Sequence, residues 1–262
     1  MNDEVLGPRS AALTDLRRLS GRRRSRLEAG AFVIDGPTLV AEALASGVDV
    51  REVYAEPGAP EPVLSAARAA SVPVRAVAAG ALAKATSPVT PQPVAALAGL
   101  PAPAGDEVLH GLVLVLVGVA DPGNAGTLVR VAEAAGASAV VSCADAVDLW
   151  NPKSVRAAAG SLFRVPVVVE GTAHRTVERL RAAGMTTVAT TLDAPVDLDD
   201  VDLRGDVAVL LGNEAHGLPA DVAAAADVAV RIPMAGRVES LNVAMTGTVL
   251  AFEAARQRRA GG

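Results

Sequence analysis

Cysteine occurs once, at Cys143, which excludes an internal disulfide and a cysteine-based zinc cluster. Aromatic residues are scarce, with three Phe, one Tyr and one Trp, too few for an RNA-recognition sheet that stacks bases on its rings. No apolar run reaches the ~18 residues of a membrane helix. The longest, LVLVLVGVA at 112–120, has the length and β-branched character of a buried strand. The first residues, MNDEVLGPRSAALTDL, lack the apolar core of a signal peptide. These absences lead to the expectation of a cytoplasmic protein. Lysine is confined to Lys84 and Lys153 beside abundant Ala, Arg, Gly and Val, a bias that points to a GC-rich genome and not to a function.

What is present bounds the architecture. The 262 residues suffice for one large α/β domain or two smaller ones, each with a real core, and two are expected. Hydrophobic residues make up 51% of the chain, much of it Ala and Val, and give a mean hydropathy of +0.35. The formal net charge of −5 argues against nucleic acid only if charge is evenly spread. It is not. The stretch RRLSGRRRSR at 17–26 holds six arginines and no acid, and a local basic stripe is the electrostatic footprint of phosphate binding. Arg22, Arg23 and Arg24 are therefore candidate RNA contacts, with a solvated helix face as the alternative.

Along the chain, 10–27 reads as helix. FVIDGPTLVAEALASG at 32–47 reads as a strand, a Gly-Pro turn and a helix ended by Gly47, followed by strand, helix and strand to about residue 78. This small α/β domain is assigned to 1–100. The proline- and glycine-rich stretch at 86–111 follows, its later part, 101–111, read as a linker. From 112 to 262 the alternation restarts with longer elements, the last a helix at 240–258. Apolar strands interleaved with helices predict a mainly parallel sheet covered on both faces.

Ligands of open parallel sheets bind beyond the carboxyl ends of the strands, and three strand exits here are unusually polar. They are DPGNAGTLVR at 121–130, VLLGNEAHGLP at 209–219 and RIPMAGRVESLNVAMTG at 231–247. The first is neither GxGxxG nor a P-loop, although glycines between strand and helix usually serve an anion. Each loop also has a purely structural reading. Asn124 and Ser240 suit helix N-caps, Arg130 a surface arginine, Glu214 and His216 an exposed turn. His110 and His174 lie elsewhere, so no nucleophilic triad assembles.

Taken together and in order, the three loops resemble the motifs of the SpoU (TrmH-like) branch of the SPOUT RNA methyltransferases. Asn124, Gly126 and Arg130 match the first motif, and Leu211, Gly212, Glu214 and Gly217 the second. Ile232, Pro233, Met234, Gly236, Ser240, Leu241, Asn242 and Val243 match the third. The resemblance covers 112–258 and extends more faintly to the N-terminal part, which looks like a small ribosomal-protein-like RNA-binding domain. A departure is TPQPV at 90–94, where relatives commonly read Pro-Gln-Gly-Val.

The resemblance implies a C-terminal SPOUT domain with a deep trefoil knot, a rare exception to unknotted topology. It also implies transfer of a methyl group from S-adenosylmethionine to a ribose 2′-hydroxyl of RNA, without a metal. Its catalytic set here is Asn124, Arg130, Glu214, Ser240 and Asn242. Gly212, Ile232, Met234 and Leu241 would hold the cofactor. Arg130 would lie nearest the hydroxyl, either deprotonated with help from a substrate phosphate or positioning the ribose while water takes the proton. Glu214 would fix the local network, since an ordinary carboxylate is too weak a base for a ribose hydroxyl. A homodimer is implied, with Leu241, Ala244, Met245, Val249 and Phe252 as its contact face or, alternatively, as core. In 151–166, Lys153 and Arg156, with Arg164, are expected to grip RNA backbone. Ribosomal RNA suits the arginine cluster and two-domain size better than transfer RNA. A nucleotide-binding dehydrogenase is disfavoured by the missing GxGxxG. A noncatalytic RNA-binding protein on the same fold is disfavoured by the intact motif residues.

Overall fold

The computed structural model describes residues 5–86 and 91–260. Thr90 of the TPQPV stretch and part of the 86–111 stretch lie outside them. The chain divides into two compact units, Met1–Ala102 with Trp150–Phe163, and Pro103–Leu149 with Arg164–Gly262.

In the first unit, α1 (Ala11–Gly21) is capped by Ser10, whose hydroxyl accepts from Leu13 N–H at 3.4 Å, and buries Leu13, Leu16 and Leu19. The expected single helix at 10–27 breaks at Arg22, whose backbone is extended, and α2 (Arg23–Ala29) follows. Next come β1 (Ala31–Asp35), α3 (Pro37–Ala45), β2 (Val50–Ala55), α4 (Glu61–Ala69), β3 (Val74–Ala76), α5 (Ala81–Ala85) and β4 (Val94–Gly99). The sheet order is β1-β4-β2-β3, with β4 antiparallel to both neighbours and β2 parallel to β3. Strand β4 lies inside a stretch whose composition reads as a loop. Its VAALAG sequence is nevertheless almost wholly buried, because small residues suit a strand flanked on both edges.

The second unit begins with Pro103, where Ala104 N–H donates to Val167 C=O at 3.0 Å and Asp106 pairs with Arg179. Its first elements are β5 (Leu112–Leu116), α6 (Pro122–Ala135) and β6 (Ala139–Ser142). Then α7 (Pro152–Ala157) and its flanks group with the first unit. There Trp150 stacks at a tilt on Phe32, ring centroids 4.8 Å apart, and Arg156 pairs with the buried Asp35. Burial, the strongest influence, raises the Asp35 carboxyl above its ordinary pKa despite the Arg156 guanidinium beside it. The remaining elements are β7 (Val167–Val169), α8 (Ala173–Ala182), β8 (Thr186–Thr190), β9 (Val196–Asp197), β10 (Val207–Leu211), α9 (Ala220–Ala225), β11 (Val228–Arg231) and α10 (Val243–Ala260).

Among the described residues these strands form one sheet in the order β7-β6-β5-β10-β8-β11-β9, parallel at every pairing. The two central strands, β5 and β10, are buried along their whole length, as parallel strands covered on both faces must be. Helix α10 covers one face with Val243, Ala244, Gly247, Leu250, Ala251, Ala254 and Ala255. A Cβ at Gly247 would run into Leu128 of α6 and Leu211 of β10, so the absence of a side chain there permits the close packing. The contact face expected on this helix divides: Ala244 belongs to the core, whereas Met245, Val249 and Phe252 are exposed at 60%, 39% and 44%.

Candidate active site

Strands β10, β8 and β11 lie side by side, and a cavity of about 740 Å³ opens beyond their carboxyl ends. Its wall is built from the residues that leave these strands: Gly212 to Leu218 after β10, Thr190 to Asp193 after β8, and Ile232 to Met234 after β11. Val238 to Leu241 and Val243 close it from the segment before α10. This is where an open parallel sheet places its ligand. Of the expected cofactor residues, Gly212, Ile232, Met234 and Leu241 all line the cavity, and so do Glu214 and Ser240.

Local structure explains the shape. After β10 the chain doubles back at once: Asn213 and Gly217 exchange main-chain hydrogen bonds of 2.9 Å each. The returning strand presses against Gly212, where a Cβ would collide with the main chain of Gly217 and Leu218. Only glycine fits. At 232–241 no backbone-to-backbone hydrogen bond is made among the described residues, and most of this segment is exposed. Its donors and acceptors stand free at the cavity rim, ready for an extended polar ligand.

Beside the cavity, the three polar loops are tied into one network. Glu214 accepts from Ala120 N–H, Asp121 N–H and the Asn124 Nδ2 amide, each at 3.0 Å. Asn124 Oδ1 in turn accepts from Asn242 Nδ2 at 3.1 Å. Partial burial of Glu214 pushes its pKa up, but these hydrogen bonds, the Asn124 amide foremost, outweigh it and hold the carboxyl below the ordinary glutamate value. The group is an ionised acceptor with its lone pairs engaged, which suits fixing a network and not removing a proton.

The capping alternatives for Asn124 and Ser240 do not hold. Helix α6 begins at Pro122, two residues ahead of Asn124, and its cap is Asp121, whose Oδ1 accepts from Asn124 N–H at 2.8 Å. The Asn124 side chain is thereby released toward Glu214. At α10 the capping contact belongs to Asn242, whose Oδ1 accepts from Ala244 N–H at 2.8 Å, and Ser240 stays exposed at the cavity.

Arg130 is exposed on α6, forms no ion pair or hydrogen bond among the described residues, and is not part of the cavity wall. Of the basic candidates, Arg22 and Arg23 are exposed, with side chains that make no bond among the described residues, and Arg24 pairs with Glu28 at 2.6 Å. Arg26 is buried and donates to Leu19 C=O at 2.5 Å, so it serves the fold. The grip on RNA expected of Arg156 meets a competing engagement with Asp35, and the exposed Arg164 likewise pairs with Glu133, leaving Lys153 as the exposed cation of that segment without an ion pair among the described residues. Sequence reasoning missed the Thr190–Asp193 wall, which carries no motif and is marked only by leaving a parallel strand next to β10. Among the described residues no group of three or more His, Cys, Asp or Glu is placed to hold a metal ion, and no helix is long and apolar enough to cross a membrane.

A cavity of this size at the carboxyl edge of a parallel α/β sheet, bordered by the Glu214–Asn124–Asn242 network, defines a small-molecule site of the α/β class. The profile of the SpoU rRNA Methylase family matches residues 111–252, and that of the MRM3-like substrate binding domain matches 12–96. The chain belongs to the SpoU rRNA methylase family. It is 32% identical over 232 residues to the 23S rRNA (guanosine(2553)-2′-O)-methyltransferase RlmP of Bacillus subtilis, covering 88% of this chain and 90% of that protein. It is 40% identical over 158 residues to the 23S rRNA (guanosine-2′-O-)-methyltransferase RlmB of Ralstonia nicotianae, a match spanning 58% of this chain and, at 64%, less than two thirds of that relative. Its fold is similar to the crystal structure of the SpoU methyltransferase AviRb from Streptomyces viridochromogenes in complex with the cofactor AdoMet. The TM-score is 0.85 at 31% identity, covering 96% of this chain and all of that one.

Proposed function

We propose that this chain is an S-adenosylmethionine-dependent RNA 2′-O-ribose methyltransferase whose substrate is 23S ribosomal RNA. The observation that carries the reading is the junction of the Glu214–Asn124–Asn242 network with the cavity, through Glu214, which belongs to both. When bound, S-adenosylmethionine supplies a methyl group already activated by its sulfonium. The cavity fits such a group: it is large enough, its wall mixes apolar Ile232, Met234 and Leu241 with main-chain edges, and the 232–241 segment has hydrogen-bonding capacity to spare. Gly212, Ile232, Met234 and Leu241 are the residues assigned to holding it.

The remaining work falls to positioning. Alignment of two reactants is worth several kcal/mol, up to roughly 7–11 in the best oriented cases. Asn124, Ser240 and Asn242 orient the incoming ribose, with Glu214 fixing Asn124. Arg130, uncommitted among the described residues and always charged, is assigned to the ribose and to negative charge developing on its oxygen. Arg22, Arg23, Arg24 and Lys153 are assigned to RNA phosphates. The exposed Met245, Val249 and Phe252 face of α10 supports a homodimer. The knotted threading of the C-terminal segment and a cytoplasmic site of action belong to the same reading.

The test is a transcriptome-wide map of 2′-O-methylation with and without the gene. Loss of a methylated ribose in 23S RNA is the expected result. Loss confined to transfer RNA would redirect the substrate, and an unchanged map would overturn the reading.

A further inference from the structure

Asn213 lies between the two signature residues of its loop, Gly212 and Glu214, at a position to which the motif assigns no role. Both ends of its side chain are nonetheless engaged. Nδ2 donates to Gly118 C=O at 2.8 Å, across to the loop after β5, while Oδ1 accepts from Ala215 N–H at 2.9 Å and His216 N–H at 3.2 Å. Its main chain closes the tight turn with Gly217. Gly118 stands at φ +65°, a left-handed conformation that turns its carbonyl off the strand direction. Two residues beyond Gly118 begin the amides, Ala120 and Asp121, that hold the Glu214 carboxylate.

We propose that Asn213 is a positioning residue for methyl transfer: by tying Gly118 to the turn at 213–217 it sets the register of the two loops, so that Glu214 meets Ala120, Asp121 and Asn124 together. The carboxylate alone does not fix that register. It ends a flexible side chain and would follow small shifts of either loop, whereas the short Asn213 side chain links main chain to main chain. Displacing the loops by a fraction of an ångström shifts one of the four segments that wall the cavity, but moves Asn124 relative to Glu214 directly, and with it the ribose-facing end of the site. Misplacement of about 1 Å at a reacting centre lowers a rate by on the order of a hundredfold.

The proposal rests on the methyltransferase reading, and its test separates the two. Asn213→Ser keeps an acceptor for Ala215 N–H but cannot reach Gly118, and Asn213→Ala loses both arms. With 23S RNA as substrate, both variants should lose at least about tenfold in kcat, and clearly more in kcat than in the affinity for S-adenosylmethionine measured by calorimetry, because the other three cavity segments are untouched. In a Glu214→Ala background the same changes should add no more than about twofold, since residues acting through one network are not additive. A kcat near that of the parent, cofactor affinity falling in step with kcat, or an equal loss in the Glu214→Ala background would each overturn it. Should Asn213→Ala fail to fold, Asn213→Ser carries the comparison alone. A readout independent of activity is the titration of the Glu214 carboxyl followed by NMR: it should rise toward the ordinary glutamate value in Asn213→Ser, and an unchanged titration would refute the proposal even if the parent methylates no RNA.

Discussion

Replacing Glu214 by Gln tests the network through stability as well as rate. The carboxylate takes three N–H donors: Ala120 on Oε2, and Asp121 with Asn124 on Oε1. A glutamine amide keeps one acceptor atom and turns the other into a donor. Its better orientation keeps Asp121 and Asn124 satisfied and sets NH₂ against the Ala120 N–H. One charge-assisted bond is lost outright, and the other two are weakened by loss of charge. Such bonds contribute about 1.5–3 kcal/mol each, and the exposure of Glu214 favours the lower end, so a net loss of about 1.5 kcal/mol is expected. For a chain of this size that is roughly 3–6 °C in Tm. The pH dependence has a definite sign. Because the native pKa lies below the ordinary 4.5, the ionised group stabilises the fold fully above that value, and the contribution disappears as pH falls through the lowered native pKa. Parallel thermal melts of parent and Glu214→Gln at neutral pH and in steps below pH 4.5 should show the gap close on acidification. A gap absent at neutral pH, or widening toward acid, would refute the reasoning.

Four further outcomes follow from the structure. Arg130→Ala should abolish RNA methylation, a loss of about a hundredfold or more, with Tm unchanged because Arg130 has no partner among the described residues to lose; near-normal methylation would remove it from the chemistry. Gly212→Ala should destabilise the second unit by about 1–3 kcal/mol through collision with Gly217 and Leu218, read as a lower denaturation midpoint. Arg156→Ala leaves the buried Asp35 carboxylate without its cation and should destabilise the first unit by about 3 kcal/mol in urea unfolding, while cofactor affinity is unaffected. Met245→Glu combined with Phe252→Glu should dissociate the homodimer proposed above into monomers in sedimentation velocity, and an unaltered assembly would place any interface elsewhere.

Much of this was legible in the sequence, for identifiable reasons. The long apolar runs of β5 and β10 announce strands buried on both faces, and the three strand-exit loops carry enough Asn, Glu and Gly to mark the carboxyl edge. What escaped lies where composition and context disagree. Strand β4 is built from Ala, Leu, Val and Gly between proline-rich flanks, and its strand state comes from pairing on both edges, not from its own propensity. The Asp121–Pro122 pair was a readable helix start that would have freed Asn124 from the capping role. The commitment of Arg156 to Asp35 was not readable, since it joins residues 121 positions apart.

The most direct test of the central claim is a crystal structure of the protein grown with S-adenosylmethionine. The account predicts the donor beyond the carboxyl ends of β8, β10 and β11, held by the main chain of 212–218 and 232–241, with Glu214, Asn124 and Asn242 still linked beside it. A donor bound at any other place on the chain, or those three side chains parted in its presence, would contradict it.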